Sequence, residues 1–440
     1  MIRNRQSTDD RSRETSKTLA DEIQAAIERL RDSSSEAAKR NAGELSNRED
    51  GWIHVSPNPE RSILNPVAFT NGSGTHLESR ADTGPKAGFE VERSADDRQS
   101  TGRESVSDPE EMYDDILDET GRVLVGNEEV LELLTIALLT RGHVLLEGVP
   151  GVAKTTIANL FARASGLDSR RIQMTPDVLP ADITGTRVYR EHTGAFELQR
   201  GPIFTNLVVA DEINRATPKT QSALLEAMQE RHVTIEGNTL VLPEPFMVVA
   251  TQNPIEMEGV FELPEAQRDR FRFKLTVDLP DRVDERELLE RFDDEPQLGP
   301  DDIERVVDAD SLLEARHVVA DVHVASPVKE YVLDLVGATR DHPDVTHGGS
   351  PRASLALLDG TKGRAAIHGR SYVIPDDVKA IAEPTLVHRL VLRPDANLSS
   401  VTAADIVTEL LEEIDPPGVD GPDLAPPNTD DEDGEEIDEN

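Results

Sequence analysis

The sequence predicts an α/β fold. A mostly parallel sheet carries a phosphate-binding loop, a smaller helical domain follows, and polar tails flank both. Three observations lead there. Residues 144–156, VLLEGVPGVAKTT, form an apolar run, a glycine-bearing loop, a lysine and two threonines, and they continue into IANLFARA at helical spacing. Two further apolar runs, LVVA from Leu207 and FMVVA from Phe246, end in polar residues, as buried parallel strands with a ligand at their carboxyl ends should. Over residues 281–414 the apolar period is helical, so strands are expected to cease there.

Residues 1–106 are rich in Ser, Asp, Glu, Arg, Asn and Gly and poor in large apolar groups. They read as a disordered tail, because such a segment cannot bury enough surface to offset its chain entropy. Within it Leu19, Ile23, Ile27 and Leu30 recur at helical spacing, which fits either a marginal, solvated helix or a helix that docks on a partner. Trp52 stands alone among polar neighbours. The nucleotide-binding core is expected over residues 107–280. Its first helix has Ser107 or Asp108 as cap, Pro109 just inside, and acidic residues in the first turn. An apolar-faced helix follows the loop at Gly126.

Strand, glycine loop, lysine, hydroxyl and helix bind phosphate for a geometric reason. Small residues let consecutive backbone N–H groups point into one concavity, and the following helix N-terminus adds partial positive charge. Lys154 can reach the outer phosphates, and the Thr155 hydroxyl can ligate Mg²⁺. Against the common pattern G-x-x-x-x-G-K-[ST], Ala153 replaces the second glycine.

Beyond the loop, two prolines and Gly185 in RIQMTPDVLPADITGTRVY break any long element, and FELQRGPIF offers a strand and a turn. The run LVVA ends in Asp211 and Glu212. An aspartate at a strand end can hold Mg²⁺ through water, and the adjacent glutamate can polarise an attacking water as general base. PKTQSALLEAMQE reads as a helix, and HVTIEGNTLVL as a hairpin turning at Glu236, Gly237 and Asn238. FMVVATQN repeats the apolar strand with a polar end, at Thr251 and Asn253. There Asn253 either orients water and senses a γ-phosphate or simply caps the strand. LPEAQRDRF puts Arg270 near the end of a helix. In SPR at 350–352, Ser350 is the cap and Pro351 the first helical residue. Arg352 then lies on the first turn, facing either a ligand in an interdomain cleft or solvent. The helical domain is expected over 281–415. Residues 416–440 form an acidic tail, with 8 of the last 11 residues Asp or Glu, and they read as disordered.

Charge narrows the partners. Lys plus Arg number 46 and Asp plus Glu 86, a net charge of −40, with nine Lys and 3% aromatic residues. Such a surface repels nucleic acid at long range and argues against that partner. It fits a cytoplasm at high salt, where the charge is screened. This halophile hypothesis fails if the protein is fully folded and active in dilute buffer yet loses both in molar KCl. With no Cys there is no disulfide framework or thiolate metal site. The start MIRNRQSTDDRSRE lacks an apolar leader, and LELLTIALL is too short for a bilayer and carries Glu132. A cytoplasmic protein without a membrane span is expected.

GVPGVAKT, TPDVLPADITG, LVVADEINRA, PKTQSALLEAMQE, ATQNP and LPEAQRDRF, in this order, resemble the MoxR family of AAA+ ATPases over residues 123–413. The ATPase subunits of magnesium chelatase are a step further away. The resemblance implies an AAA+ P-loop core with a C-terminal α-helical lid. It also implies roles residue by residue. Gly148, Val149, Pro150, Gly151, Val152, Ala153, Lys154, Thr155 and Thr156 match the Walker A loop, and alanine before the lysine is usual in this family. Asp211 and Glu212 match Walker B, with Thr155 and Asp211 as Mg²⁺ ligands. Asn253 matches sensor 1, Arg270 the arginine finger that completes a neighbouring subunit's site, and Arg352 sensor 2 on the lid. Val125 and Gly126 fall where such proteins contact adenine, and residues 177–185 match the insert that decorates the second core helix. Arg268 stands where relatives carry an apolar residue, and the long N-terminal tail has no counterpart. The implied activity is Mg²⁺-dependent ATP hydrolysis by a homo-oligomer, a hexameric ring, acting as a chaperone on client complexes with a von Willebrand factor A domain protein. A chelatase-type motor subunit and a nucleotide-gated scaffold with little turnover are the alternatives.

Overall fold

A computed structural model describes residues 107–192, 194–255 and 259–418. The expected features at residues 19–30, at Trp52 and in the acidic end past 418 lie outside the described residues. The first helix, α1 (Pro109–Gly121), is capped by Asp108, whose carboxylate accepts from Glu110 N at 3.0 Å. Helix α2 (Glu128–Leu139) follows, with nine of its twelve residues buried. Then come β1 (Val144–Glu147), the phosphate loop and α3 (Lys154–Ala164). Next is β2 (Ser169–Gln173), which the sequence reading missed. SRRIQ carries two arginines and buries only Ile172, so it has neither the apolar run nor the alternation of a recognisable strand.

After α4 (Pro180–Thr184), β3 (Gly185–Arg190) and β4 (Ala195–Arg200) pair as an antiparallel hairpin. β5 (Leu207–Asp211) ends in the acidic pair, and α5 (Pro218–Glu230) follows. A hairpin of β6 (His232–Ile235) and β7 (Asn238–Val241) turns at Glu236 and Gly237, both at positive φ. β8 (Met247–Gln252), the short α6 (Glu265–Arg268) and β9 (Phe273–Thr276) complete the core.

Five strands form one parallel sheet in the order β2-β5-β8-β1-β9. Strand β8 therefore lies between the strand that leads into the phosphate loop and the strand that ends in the acidic pair. Successive side chains point to opposite faces. Val144, Leu146, Val209 and Val249 pack with α1, α2 and α3, while Leu145, Val208, Ala210 and Val248 pack with Leu224, Leu225 and Phe271 on the other side. Burial on both faces is why these strands read as unbroken apolar runs.

The C-terminal region is helical: α7 (Arg282–Asp294), α8 (Ala309–Asp321), α9 (Ser326–Asp341), α10 (Pro351–Ile367) and α11 (Pro375–Leu386). Strands do not wholly cease there. β10 (Val345–His347) and β11 (Val391–Leu392) pair antiparallel, and both are too short to leave a periodic signal. Short α12 (Pro394–Leu398) and amphipathic α13 (Ala403–Glu413) close the region. The cluster on the α1–α3 side of the sheet runs on into this region through Leu335, Leu357 and Ile381. Among the described residues no helix is long and apolar enough to cross a membrane.

Candidate functional site

The phosphate loop leaves the carboxyl end of β1, tied to β8 by the Gly148 N–H bond to Gln252 O at 3.3 Å. A Cβ at Gly148 would stand 2.4 Å from Val277 O, so the close approach of β9's continuation requires glycine. Ala153 occupies the left-handed region at φ 61°, where the common pattern has glycine. A small side chain tolerates that backbone at a cost of about 1–2 kcal/mol. Lys154 opens α3, and its Nζ donates to Gly148 O at 2.6 Å and Val149 O at 2.8 Å. The ammonium is thus folded onto loop carbonyls. Partial burial pulls its pKa below the ordinary lysine value, against the opposing pull of Asp211 and Glu212.

The acidic pair sits two strands away at the same edge. The Thr155 hydroxyl donates to Asp211 Oδ1 at 3.1 Å, which brings the two expected metal ligands together. Three groups that the sequence reading did not assign complete the arrangement. Thr251, at the end of β8, donates to Asp211 Oδ1 and accepts the Glu212 N–H at 2.9 Å. Arg171 of β2 pairs with Asp211 Oδ2 at 2.5 Å. Gln173 donates to Glu212 Oε2 at 2.8 Å. Burial alone would raise the Asp211 pKa, but the bonds from Thr251 and Arg171 outweigh it and hold the carboxyl below its ordinary range. Glu212 has φ 57° and ψ 52°, a left-handed backbone of the kind that concentrates at functional sites.

Among the described residues no group of three or more His, Cys, Asp or Glu could hold a metal ion. One hydroxyl and one carboxylate, both hard oxygen donors, are what Mg²⁺ uses when substrate phosphates and water supply the remaining ligands. The residues present therefore fit Mg²⁺ and a nucleotide together.

Asn253 is buried just past β8, between the loop and the acidic pair. Its Oδ1 accepts the Ile255 N–H at 3.2 Å, so the strand-capping bond is present. Val125 is buried. Gly126, at φ 69°, faces Asp284 of α7, since a Cβ there would come 2.7 Å from Asp284 Oδ2. Of the remaining loop residues, Val152 is buried, while Pro150 and Gly151 bend the chain ahead of Ala153. Thr156 lies in the first turn of α3.

The two expected arginines are elsewhere. Arg270 precedes β9, and Phe273 of β9 pairs with Val144 at the start of β1. Arg270 therefore sits at the amino-terminal edge of the sheet. The chain's own phosphate loop leaves the opposite edge, about 13 Å away along four strand residues. Its Nη1 donates to Leu225 O at 2.6 Å. Arg352 is on the first turn of α10, as expected, with Ser350 capping. It does not join the loop across an interdomain cleft. The N-terminus of α10 packs at the amino-terminal edge, where Arg352 Nη1 lies 3.9 Å from Asp269 Oδ2. Arg141, Arg231, Arg270, Arg272, Arg352 and Arg389 all line one cavity of about 240 Å³ there.

A parallel sheet with a phosphate loop after β1, a carboxylate pair after β5, a strand between them and a helical C-terminal region define an AAA-type P-loop nucleotide-binding protein. Residues 143–273 match the model of the ATPase family associated with various cellular activities, and residues 337–410 match the AAA lid domain. YeaC of Bacillus subtilis is 45% identical over 67% of this chain and 92% of its own length. Chaperone MoxR1 of Mycobacterium tuberculosis is 44% identical over 68% of this chain and 81% of its own length. A solved structure from Cytophaga hutchinsonii, 38% identical, superposes with a TM-score of 0.65 over 70% of this chain and 95% of that one. The chain belongs to the MoxR family of AAA+ ATPases.

Proposed function

We propose that the protein is a Mg²⁺-dependent ATPase built as a homo-oligomeric ring of six copies. In this reading residues 107–280 are its core and residues 281–415 its lid, and each nucleotide is held by one copy and completed by the next. The observation that carries this is the separation of Arg270 and Arg352 from the chain's own phosphate loop by the length of a strand. Arginines gathered at one sheet edge, with the loop and carboxylates at the other, suit head-to-tail association, in which one edge meets the other.

Within such a site Lys154 exchanges its loop carbonyls for the outer phosphates, and Thr155 and Asp211 hold the metal. Bound Mg²⁺ neutralises charge on the phosphates. Glu212 orients the attacking water and accepts its proton, and Asn253 lies beside it to contact the γ-phosphate. Val125 and Gly126 border the adenine. Arg270 from the next copy stabilises charge in the transition state, a contribution on the order of 10³-fold or more for an arginine of this kind. The chaperone name of the Mycobacterium tuberculosis relative supports remodelling of a client complex, and the partner proposed from the family resemblance is a von Willebrand factor A domain protein. The acidic, lysine-poor chain supports a cytoplasmic setting at high salt.

The test is steady-state ATP turnover by the full chain. Glu212→Gln is expected to abolish turnover and Arg270→Ala to leave a small, measurable rate, about 10³-fold below the unaltered chain, while ATP binding persists in both. Full turnover in either variant contradicts the proposal.

A further inference from the structure

The residues on either side of Arg270 are gripped by the C-terminal helical region. Asp269 Oδ1 accepts Arg389 Nε at 2.9 Å, and Asp269 Oδ2 accepts the Ser350 hydroxyl at 3.3 Å. Phe271 O accepts both Arg389 Nη2 at 2.6 Å and His388 Nε2 at 3.1 Å, and Arg272 O accepts Arg389 Nη1 at 3.1 Å. Arg389 also donates to Thr385 O, in the last turn of the preceding helix α11. Its side chain is 3% exposed. A guanidinium buried so deeply is costly unless its donors all find acceptors. Here three of its four hydrogen bonds go to Asp269, Phe271 and Arg272, core residues that bracket Arg270.

The Arg270 side chain itself is tied to the core by the Nη1 bond to Leu225 O at 2.6 Å. The residue lies past the end of α6 and before β9, its backbone N–H bonds Gln267 O at 3.2 Å, and its side-chain Nε is buried without a partner. The grip comes from two separate places. Ser350 and Arg352 begin α10, and His388 and Arg389 lie in the turn just past the end of α11. A shift of either helix start or end would drag Asp269 or Phe271, and Arg270 between them.

We propose that Arg389 is a positioning residue for Arg270: by holding Asp269 and the Phe271 carbonyl, it makes the finger that one copy offers its neighbour depend on the posture of its own lid. This rests on Arg270 acting in a neighbour's site. Lid movement in one copy then tunes turnover in the next, with no contact between Arg389 and nucleotide.

The experiment measures ATP turnover, KM for ATP and affinity for a fluorescent ATP analogue with Mg²⁺, on the full chain. The variants are Arg389→Met, Arg389→Lys, Arg270→Ala and the double variant Arg270→Ala/Arg389→Met, with thermal melting as the fold control. Arg389→Met is expected to lower kcat about tenfold or more while KM and analogue affinity stay within about twofold, and Arg389→Lys to recover part of the loss. In the Arg270→Ala background, Arg389→Met is expected to add less than about twofold, because the two act as a unit. Unchanged turnover in Arg389→Met, or the same loss with and without Arg270, overturns the proposal. If Arg389→Met does not fold, Asp269→Asn, at a partly exposed carboxylate, decides by the same comparison. Full turnover in Arg270→Ala instead refutes the reading of Arg270 and leaves the clamp nothing to act on. No turnover by the unaltered chain overturns both.

Discussion

The Thr251 hydroxyl donates to Asp211 Oδ1 at 2.5 Å, across the boundary between β8 and β5. The Thr251 Oγ1 in turn accepts the Glu212 N–H at 2.9 Å. One side chain therefore orients the Asp211 carboxylate, the proposed metal ligand, and steadies the left-handed backbone of Glu212, the proposed general base. Thr251→Val, which keeps the shape and removes both bonds, is expected to lower kcat about 10- to 100-fold, while Thr251→Ser keeps most of it. Turnover assays with melting curves separate this from loss of fold.

His143 is buried beside the amino-terminal edge. Its Nδ1 accepts the Val248 N–H at 3.0 Å, so Nε2 carries the proton and donates to Met228 O at 3.1 Å. A second proton must break the Val248 bond. Burial and the neighbouring Arg231 push the imidazole pKa down to about 3. The unfolded chain therefore binds this proton first, and stability falls as pH drops below 6.5 toward 3, by about 1.4 kcal/mol per pH unit for this group. In denaturant unfolding at constant high salt, His143→Gln is expected to show a shallower loss between pH 6.5 and pH 5.

Asp377 is fully buried and ties the lid together. It accepts from Arg364 Nη1 at 2.8 Å, from Arg370 Nη1 and Nη2 at 2.6 and 2.7 Å, and from Ile374 N at 3.0 Å. Asp377→Asn leaves Arg370 without its bidentate carboxylate and Arg364 with Glu132 alone, 3.1 Å from its Nε, and is expected to cost about 3–5 kcal/mol in denaturant unfolding. A loss below about 1 kcal/mol would show that the lid tolerates the loss of that carboxylate.

With a net charge of −40, added salt should relieve self-repulsion. The unfolding midpoint is expected to rise steadily from dilute buffer to molar KCl. A protein fully stable and active in dilute buffer that loses both in molar KCl would contradict this.

Local signals marked the loop and the acidic pair, because each is an unbroken apolar strand that ends at its chemistry. The cap of α10 at Ser350 and the turn at Glu236 and Gly237 were legible for the same reason. Strand β2 was not, since an edge strand of SRRIQ earns its place by pairing with β5 rather than by burying side chains. Arg171, Gln173 and the double role of Thr251 depend on sheet register, which brings residues some 40 positions apart together. The side on which Arg352 falls depends on how α10 docks against the core, and no local pattern encodes that.

In the proposed ring, Lys154 and Arg270 serve one nucleotide from two different copies. Lys154→Ala and Arg270→Ala, each expected to turn over at or near the detection limit alone, should regain ATP turnover well above either when mixed under conditions that allow subunits to exchange, because some junctions then pair an intact loop with an intact arginine. Absence of recovery in mixed oligomers whose exchange is demonstrated would contradict the claim.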